Sequence, residues 1–348
     1  MSRILIYGAN GYTGALIAEE GARRGLRPIL AGRNRDALEA LAQRLKVTRR
    51  VFELRDHAEV VRNLDGVDVV LNCAGPFVNT CEPLLEACLE RKIHYLDITG
   101  EIDVFALCHH AHLRAKHQGI VVAPGVGFDV VPTDCAAAML KQRLPDANEL
   151  VLAFEAGGGP SPGTARTSVA GLARGGRVRR NGELIDVPLA FKTREFERDG
   201  LHRSAMTIPW GDVYTAFVST GIPNIETYMA VSPKTIARTR WLRYAQPLMR
   251  FDPLLKFLEA RAVASARGPD AERRRETGCY VWGEVRNAAG REAKLALKTP
   301  NGYALTVDAA LGILEHVLHA NAPGGYYTPS QLVGADFVLA LPGVALVT

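Results

Sequence analysis

A chain of 348 residues exceeds what one hydrophobic core organises, so two domains are expected. A composition that is 47% hydrophobic and 23% charged is that of a soluble globular protein and excludes a disordered or fibrous one. The net charge of +5 is spread out; its densest run, Arg273, Arg274 and Arg275, sits between Glu272 and Glu276, which argues against a nucleic-acid-binding surface.

Over the first 125 residues, short apolar runs alternate with longer amphipathic stretches. Strands are expected at Ile4–Tyr7, 28–31, 50–54, 67–72, His94–Asp97 and 120–123. Helices are expected at 13–24, Arg35–Leu45, Cys81–Arg91 and 104–118. This alternation predicts a doubly wound α/β domain, a parallel sheet with helices on both faces, over residues 1–130. The pattern then changes. A connecting helix is expected at 134–143 and strands at 150–155, 191–197, 215–220 and 226–231. Segments 279–286 and 293–298 flank a hairpin turn at 287–290. Residues 234–263 read as an amphipathic helical stretch, 267–276 as an exposed loop and 309–319 as a helix. Residues 131–319 are therefore expected to form a second α+β domain with a large mixed, mostly antiparallel sheet. The tail from 320 to 348 is expected to return to the first domain.

The six cysteines form no C-x-x-C pair, and no histidine cluster has zinc spacing, so no metal site is expected. Cys81 and Cys88 share one helical face and read as buried structural thiols. Unpaired cysteines, with no leader-like or membrane-length apolar run, predict a cytoplasmic protein with no integral membrane segment. A homodimer is left open.

The sharpest motif is Gly8-Ala9-Asn10-Gly11-Tyr12-Thr13-Gly14, directly after the first strand and before the first helix. A strand that turns at once into a helix needs glycine dihedrals. A pyrophosphate that approaches backbone amides needs the absence of β-carbons, and the helix start offers free N–H groups and a positive dipole end. Asn10, Tyr12 and Thr13 are included in this candidate dinucleotide site. The second strand ends at Arg33-Asn34, where an NAD site usually carries an acidic residue for the ribose 2′-hydroxyl. Arg33 can instead pair with a 2′-phosphate, so the expected cofactor is NADP(H).

Three further strand-end turns converge on the same edge. Cys73, Ala74, Gly75 and Pro76 follow the fourth strand, Thr99 and Gly100 the fifth, and all six are cofactor-binding candidates. Asp129, Glu101 and His94 are the candidate proton-transfer groups; no Tyr-x-x-x-Lys pair is present to supply that step. Phe128, after the sixth strand, and Arg166, in the polar turn 161–167, are candidate substrate contacts.

In order and spacing, GANGYTG, AGRN, NCAGPF, HYLDITGE and PGVGFDVVPTD resemble the saccharopine-dehydrogenase-like oxidoreductases. Trp282-Gly283-Glu284-Val285, Thr299-Pro300-Asn301-Gly302-Tyr303 and Gly325-Tyr326-Tyr327-Thr328-Pro329 resemble the branch of trans-acting enoyl reductases. The resemblance implies an NADP-binding Rossmann domain, a second mixed α/β domain, and reduction of a C=C or C=N bond in a small or carrier-bound substrate. An amino-acid-type dehydrogenase and a non-catalytic NADP sensor or scaffold are the alternatives.

Overall fold

The computed structural model describes residues 3–249, 251–320 and 322–347, which form two compact units. The first contains residues 3–131 and 303–334, the second 132–302 and 335–347.

The first unit begins with β1 (Ile4–Tyr7), α1 (Tyr12–Arg23), β2 (Ile29–Gly32), α2 (Arg35–Leu45), β3 (Arg49–Val51) and α3 (His57–Asn63). It continues with β4 (Val69–Asn72), a 3-10 turn at Phe77–Asn79, α4 (Cys81–Arg91), β5 (His94–Asp97), α5 (Ile102–His110), α6 (His112–Gln118) and β6 (Val121–Ala123). Every residue of β1, β2, β4 and β6 is buried, as parallel strands covered on both faces must be. The strands pair in the order β3-β2-β1-β4-β5-β6, all parallel, which is the Rossmann order. The helix expected at 104–118 is two helices, breaking at Ala111. Helix α3 escaped the sequence reading, although Asp56 caps it by accepting from Ala58 N at 2.9 Å.

The second unit contains α7 (Val131–Arg143), β7 (Ala147–Glu155), α8 (Pro162–Arg174), β8 (Gly176–Arg180), β9 (Glu183–Val187), β10 (Thr193–Arg198), β11 (Leu201–Thr207), α9 (Asp212–Thr220) and β12 (Asn224–Ala230). After these come α10 (Pro233–Met249), α11 (Asp252–Ser265), α12 (Ala271–Glu276), β13 (Gly278–Asn287) and β14 (Glu292–Pro300). The chain then returns to the first unit with α13 (Gly302–His319), β15 (Gly325–Tyr326) and α14 (Pro329–Val333), and ends with β16 (Ala345–Val347) in the second. The second sheet runs β10-β11-β12-β7-β13-β14-β16, with β8 and β9 attached through β12. Only β12 and β7 are parallel, so the sheet is mixed and mostly antiparallel, as expected. Its register stacks Phe196, Tyr228, Tyr280 and Trp282 on one face, with ring centroids 5.6 to 6.0 Å apart. The Trp282 indole N–H donates to Glu197 O at 2.8 Å, which satisfies its polar handle.

Several expectations need correction. Segment 215–220 is the end of helix α9, not a strand. Its β-branched Thr215, Val218 and Thr220 suggest strand, but Val213, Ala216 and Thr220 bury one face at helical spacing and Gly221 ends the helix at φ +70°. Residues 162–167 are the first turns of α8, which Ser161 caps by accepting from Thr164 N at 3.2 Å, not a polar turn. The loop at 267–276 contains the short helix α12. The stretch 234–263 is two helices; residue 250, at their junction, lies outside the described residues. Helix α13 belongs to the first unit, whereas the tail divides: β15 extends the first sheet beside β6, and β16 pairs with β14 in the second. Residues 321 and 348 of that tail lie outside the described residues.

Candidate dinucleotide site

The glycine turn is built as its spacing predicts. Gly8 has φ +80°, and a β-carbon there would meet Ala74 N at 2.8 Å. A β-carbon on Gly14 would lie 2.4 Å from Gly8 O, so that glycine lets α1 close onto the turn. Gly11 begins α1 with no side-chain cap, and the first turn carries no acidic residue. A backbone cradle with an uncapped helix start fits a pyrophosphate. Asn10 closes the turn against β2: a β-carbon on Gly32 would lie 3.0 Å from Asn10 Oδ1. Tyr12 meets Tyr303 edge-on at 4.9 Å, which brings the start of α13 beside the loop.

Arg33 is exposed directly after β2. Its charge reaches the Tyr7 hydroxyl, whose pKa burial pushes up to about 12 and Arg33 moderates. Asn34 is the N-cap of α2; its side-chain carbonyl accepts from Ala37 N at 3.1 Å and is therefore taken up by the helix.

The turn after β4 is pinned from below. Asn72 Oδ1 accepts from Ala74 N at 3.0 Å, its Nδ2 donates to Thr80 Oγ1 at 3.0 Å, and Thr80 Oγ1 donates to Ala74 O at 2.7 Å. This shapes the backbone of Cys73, Ala74, Gly75 and Pro76, with a cis peptide before Pro76. Burial pushes the Cys73 thiol far up, so it is a neutral packing group.

The three candidate proton-transfer groups have different fates. Glu101 accepts from Phe77 N at 2.8 Å through Oε1 and from Val78 N at 3.1 Å through Oε2, so its carboxylate clamps the 3-10 turn to the end of β5. His94 starts β5, three residues and about 10 Å from the strand end that faces the site. Its Nδ1 accepts from Val121 N at 2.9 Å, and burial lowers its pKa. The expectation that His94 shares the functional edge is therefore overturned: β5 runs from His94 toward that edge and leaves the histidine at its far end. Asp129 remains. Its carboxyl packs on Gly100, where a β-carbon would lie 3.0 Å from Oδ2, and it has no hydrogen-bond partner among the described residues. Burial pushes its pKa up to about 7.

Sequence reasoning places Asp97 on the strand edge without a role and leaves Tyr303 and Thr306 out of the site. Asp97 accepts from Thr99 N at 2.9 Å, Gly125 N at 3.0 Å and the Tyr95 hydroxyl at 3.0 Å, joining the ends of β5 and β6. Burial raises its pKa to about 7 despite these donors. Thr99 Oγ1 in turn accepts from Glu101 N at 3.0 Å, a turn-forming role. Phe128 N donates to Thr306 Oγ1 at 2.9 Å, and Gly127 packs on the same threonine, so α13 fixes the turn that carries Asp129. The Phe128 ring is buried. No sequence signal ties residues 127 and 306. Arg166 lies on α8 in the second unit.

A parallel sheet in this order, with a glycine cradle at the end of its first strand, defines a Rossmann-type dinucleotide-binding domain. The family model described as the saccharopine dehydrogenase NADP binding domain matches residues 4–119. The saccharopine dehydrogenase-like oxidoreductase of Homo sapiens is 27% identical over 161 residues, 40% of this chain and 38% of that one. A Mycobacterium tuberculosis protein provisionally named a trans-acting enoyl reductase is 31% identical over 183 residues, 46% of this chain and 42% of that one. The chain thus matches less than half the length of these curated relatives. In fold, apo saccharopine dehydrogenase (L-Glu forming) from Saccharomyces cerevisiae superposes with a TM-score of 0.69 at 11% identity, covering 100% of both chains. Residues 4–119 are thus an NADP-binding domain of the saccharopine dehydrogenase kind, and the chain shares the fold of the yeast enzyme. Among the described residues, no helix is long and apolar enough to cross a membrane.

Proposed function

We propose that the chain is an NADP(H)-dependent reductase acting on a C=C or C=N bond of a small or carrier-bound substrate in the cytoplasm. The observation that carries the reading is Asp129: a carboxyl with pKa near 7, free of hydrogen-bond partners among the described residues, beside the strand-end turns of an NADP-binding domain. When bound, the nicotinamide supplies a hydride. The residues of the chain do the rest. Gly8, Gly11 and Gly14 admit the pyrophosphate, Arg33 pairs with the 2′-phosphate, and the turn at 73–76 with Thr99 and Gly100 bounds the ribose and nicotinamide. Asp129 would deliver a proton to the atom of the double bond that does not receive the hydride, the α-carbon of an enoyl group or the nitrogen of an imine, and a group with pKa near the working pH does this best. Phe128 and Arg166 are assigned to substrate. The name of the mycobacterial relative favours an enoyl group on a carrier.

The test follows NADPH oxidation against enoyl thioesters, imines and keto acids. Turnover of an enoyl thioester or imine that Asp129→Asn lowers by about 10²- to 10⁴-fold supports the assignment. Reduction of NADP+ by amino acids, with no turnover of enoyl thioesters or imines, makes the chain a dehydrogenase. Tight NADPH binding with no oxidation by any of these substrates makes it a sensor.

A further inference from the structure

The second unit exposes five large apolar side chains on one helical hairpin: Trp241, Tyr244 and Leu248 on α10, Phe251 at the junction and Phe257 on α11. Trp241 is 76% exposed, Tyr244 82% and Leu248 67%, values that a folded protein does not give three neighbouring side chains without a use. At about 100° per residue, Ala237, Tyr244, Leu248 and Trp241 fall within one narrow arc of α10. Lys234 and Arg238 border that arc on one side and Arg240 on the other, all exposed. The opposite face is anchored in the unit: Ile236 and Thr239 are buried, Arg243 donates to Leu189 O and Ala190 O, and Gln246 donates to Ala173 O. The outward face is therefore fixed by packing.

The charge of α10 is one-sided, whereas α11 carries Lys256 and Arg261 together with Asp252 and Glu259. Helix α10 carries no acidic residue, and Lys234, Arg238 and Arg240 make no ion pair among the described residues. Aromatic side chains with a polar edge, flanked by long cations, are the composition of a helix lying in a lipid–water interface; the rings enter the headgroup layer and the cations reach its phosphates. The same charges oppose a second copy of this chain on the face, because a two-fold contact would set Lys234, Arg238 and Arg240 against their own kind.

We propose that the α10–α11 hairpin docks the protein peripherally on an anionic phospholipid surface. The inference does not depend on the reductase reading. The test is co-sedimentation of the full chain with vesicles of phosphatidylcholine alone, or with about one-third phosphatidylserine, at low salt. Binding to the anionic vesicles at least about tenfold tighter, weakening as salt rises, is expected. Trp241 fluorescence shifts to the blue on binding, against the constant background of the other tryptophans. Trp241→Ser with Tyr244→Ser weakens vesicle binding about tenfold or more. Arg238→Glu with Arg240→Glu abolishes the preference for phosphatidylserine, whereas Arg238→Lys with Arg240→Lys keeps it. Circular dichroism and thermal unfolding confirm that each variant is folded. Equal binding to both vesicles, wild-type binding by the folded aromatic variant, or a solution dimer that the aromatic variant dissociates would each overturn the proposal.

Discussion

On the proposed reading Arg33 and Gly14 bear on different parts of the bound cofactor, and their variants should separate. Charge-assisted hydrogen bonds to a phosphate contribute about 1.5–3 kcal/mol, so Arg33→Ala should raise the Kd for NADPH by about 10- to 100-fold. The Kd for NADH should stay within about threefold, as fluorescence titration with both will show. Gly14→Ala forces a β-carbon toward Gly8 O, at 2.4 Å in the present geometry, against backbone that has no slack. It should weaken both cofactors alike and lower stability by about 1–3 kcal/mol. At Asp129 a pKa near 7 means that the proton to be donated is lost as pH rises through 7, so the rate of reduction should fall over that range and not below it. Asp97 shares the raised pKa but not the proposed role, since its carboxyl is taken up by Thr99 N, Gly125 N and the Tyr95 hydroxyl. A carboxyl whose folded pKa lies above its unfolded value near 3.8 binds its proton more tightly when folded. Its contribution to stability is thus full below that unfolded value and declines as pH rises toward 7. Asp97→Asn should flatten this part of the profile in melting curves taken from about pH 4 to 8.

At the scale of elements, the site is a set of turns held to one another. Glu101 ties β5 to the turn after β4, and Thr306 on α13 holds the turn after β6. A clamp and a proton donor respond differently to substitution. Glu101→Gln keeps one acceptor for Phe77 N and should retain turnover within about tenfold, whereas Asp129→Asn should not. Substrate turnover and melting temperature measured on both variants check this; a greater loss of turnover in Glu101→Gln than in Asp129→Asn would return the proton-transfer role to Glu101. The sequence shows the strands that carry these turns because each is a short, largely apolar run that leads into a glycine-containing turn. It conceals β8 and β9, half of whose residues are charged and which lack a clean alternation, and β11. Two turn signals were nevertheless in view: Asn181-Gly182 and Asp199-Gly200 each adopt paired positive φ angles, +48° and +84° in the first and +53° and +74° in the second, as a tight hairpin requires.

Across the whole molecule, the chain crosses between its units more than once. Helix α13 lies almost 180 residues after β6 in sequence, yet it buries Leu305, Ala309, Ala310, Ile313 and Leu314 in the first unit. Beyond it, β15 extends the first sheet: Tyr326 N donates to His112 Nδ1 at 3.2 Å, and the Tyr326 ring stacks on His109 at 4.8 Å. His109 and His112 thus receive the returning chain. A fragment ending at residue 131 should leave this surface uncovered and aggregate, whereas the same fragment joined by a flexible linker to 303–334 should be soluble and bind NADPH; gel filtration and cofactor titration distinguish the two. The parallel strands, the glycine cradle and the Arg33 position were determined by the sequence alone, because each depends on residues adjacent in the chain: an apolar run, a turn that tolerates no β-carbon, a cation at a strand end. Which of Asp129, Glu101 and His94 stands free was decided only by the tertiary structure. Strand direction placed His94 at the far end of β5, distant backbone amides captured Glu101, and a threonine from α13 set the turn on which Asp129 is left with a buried carboxyl.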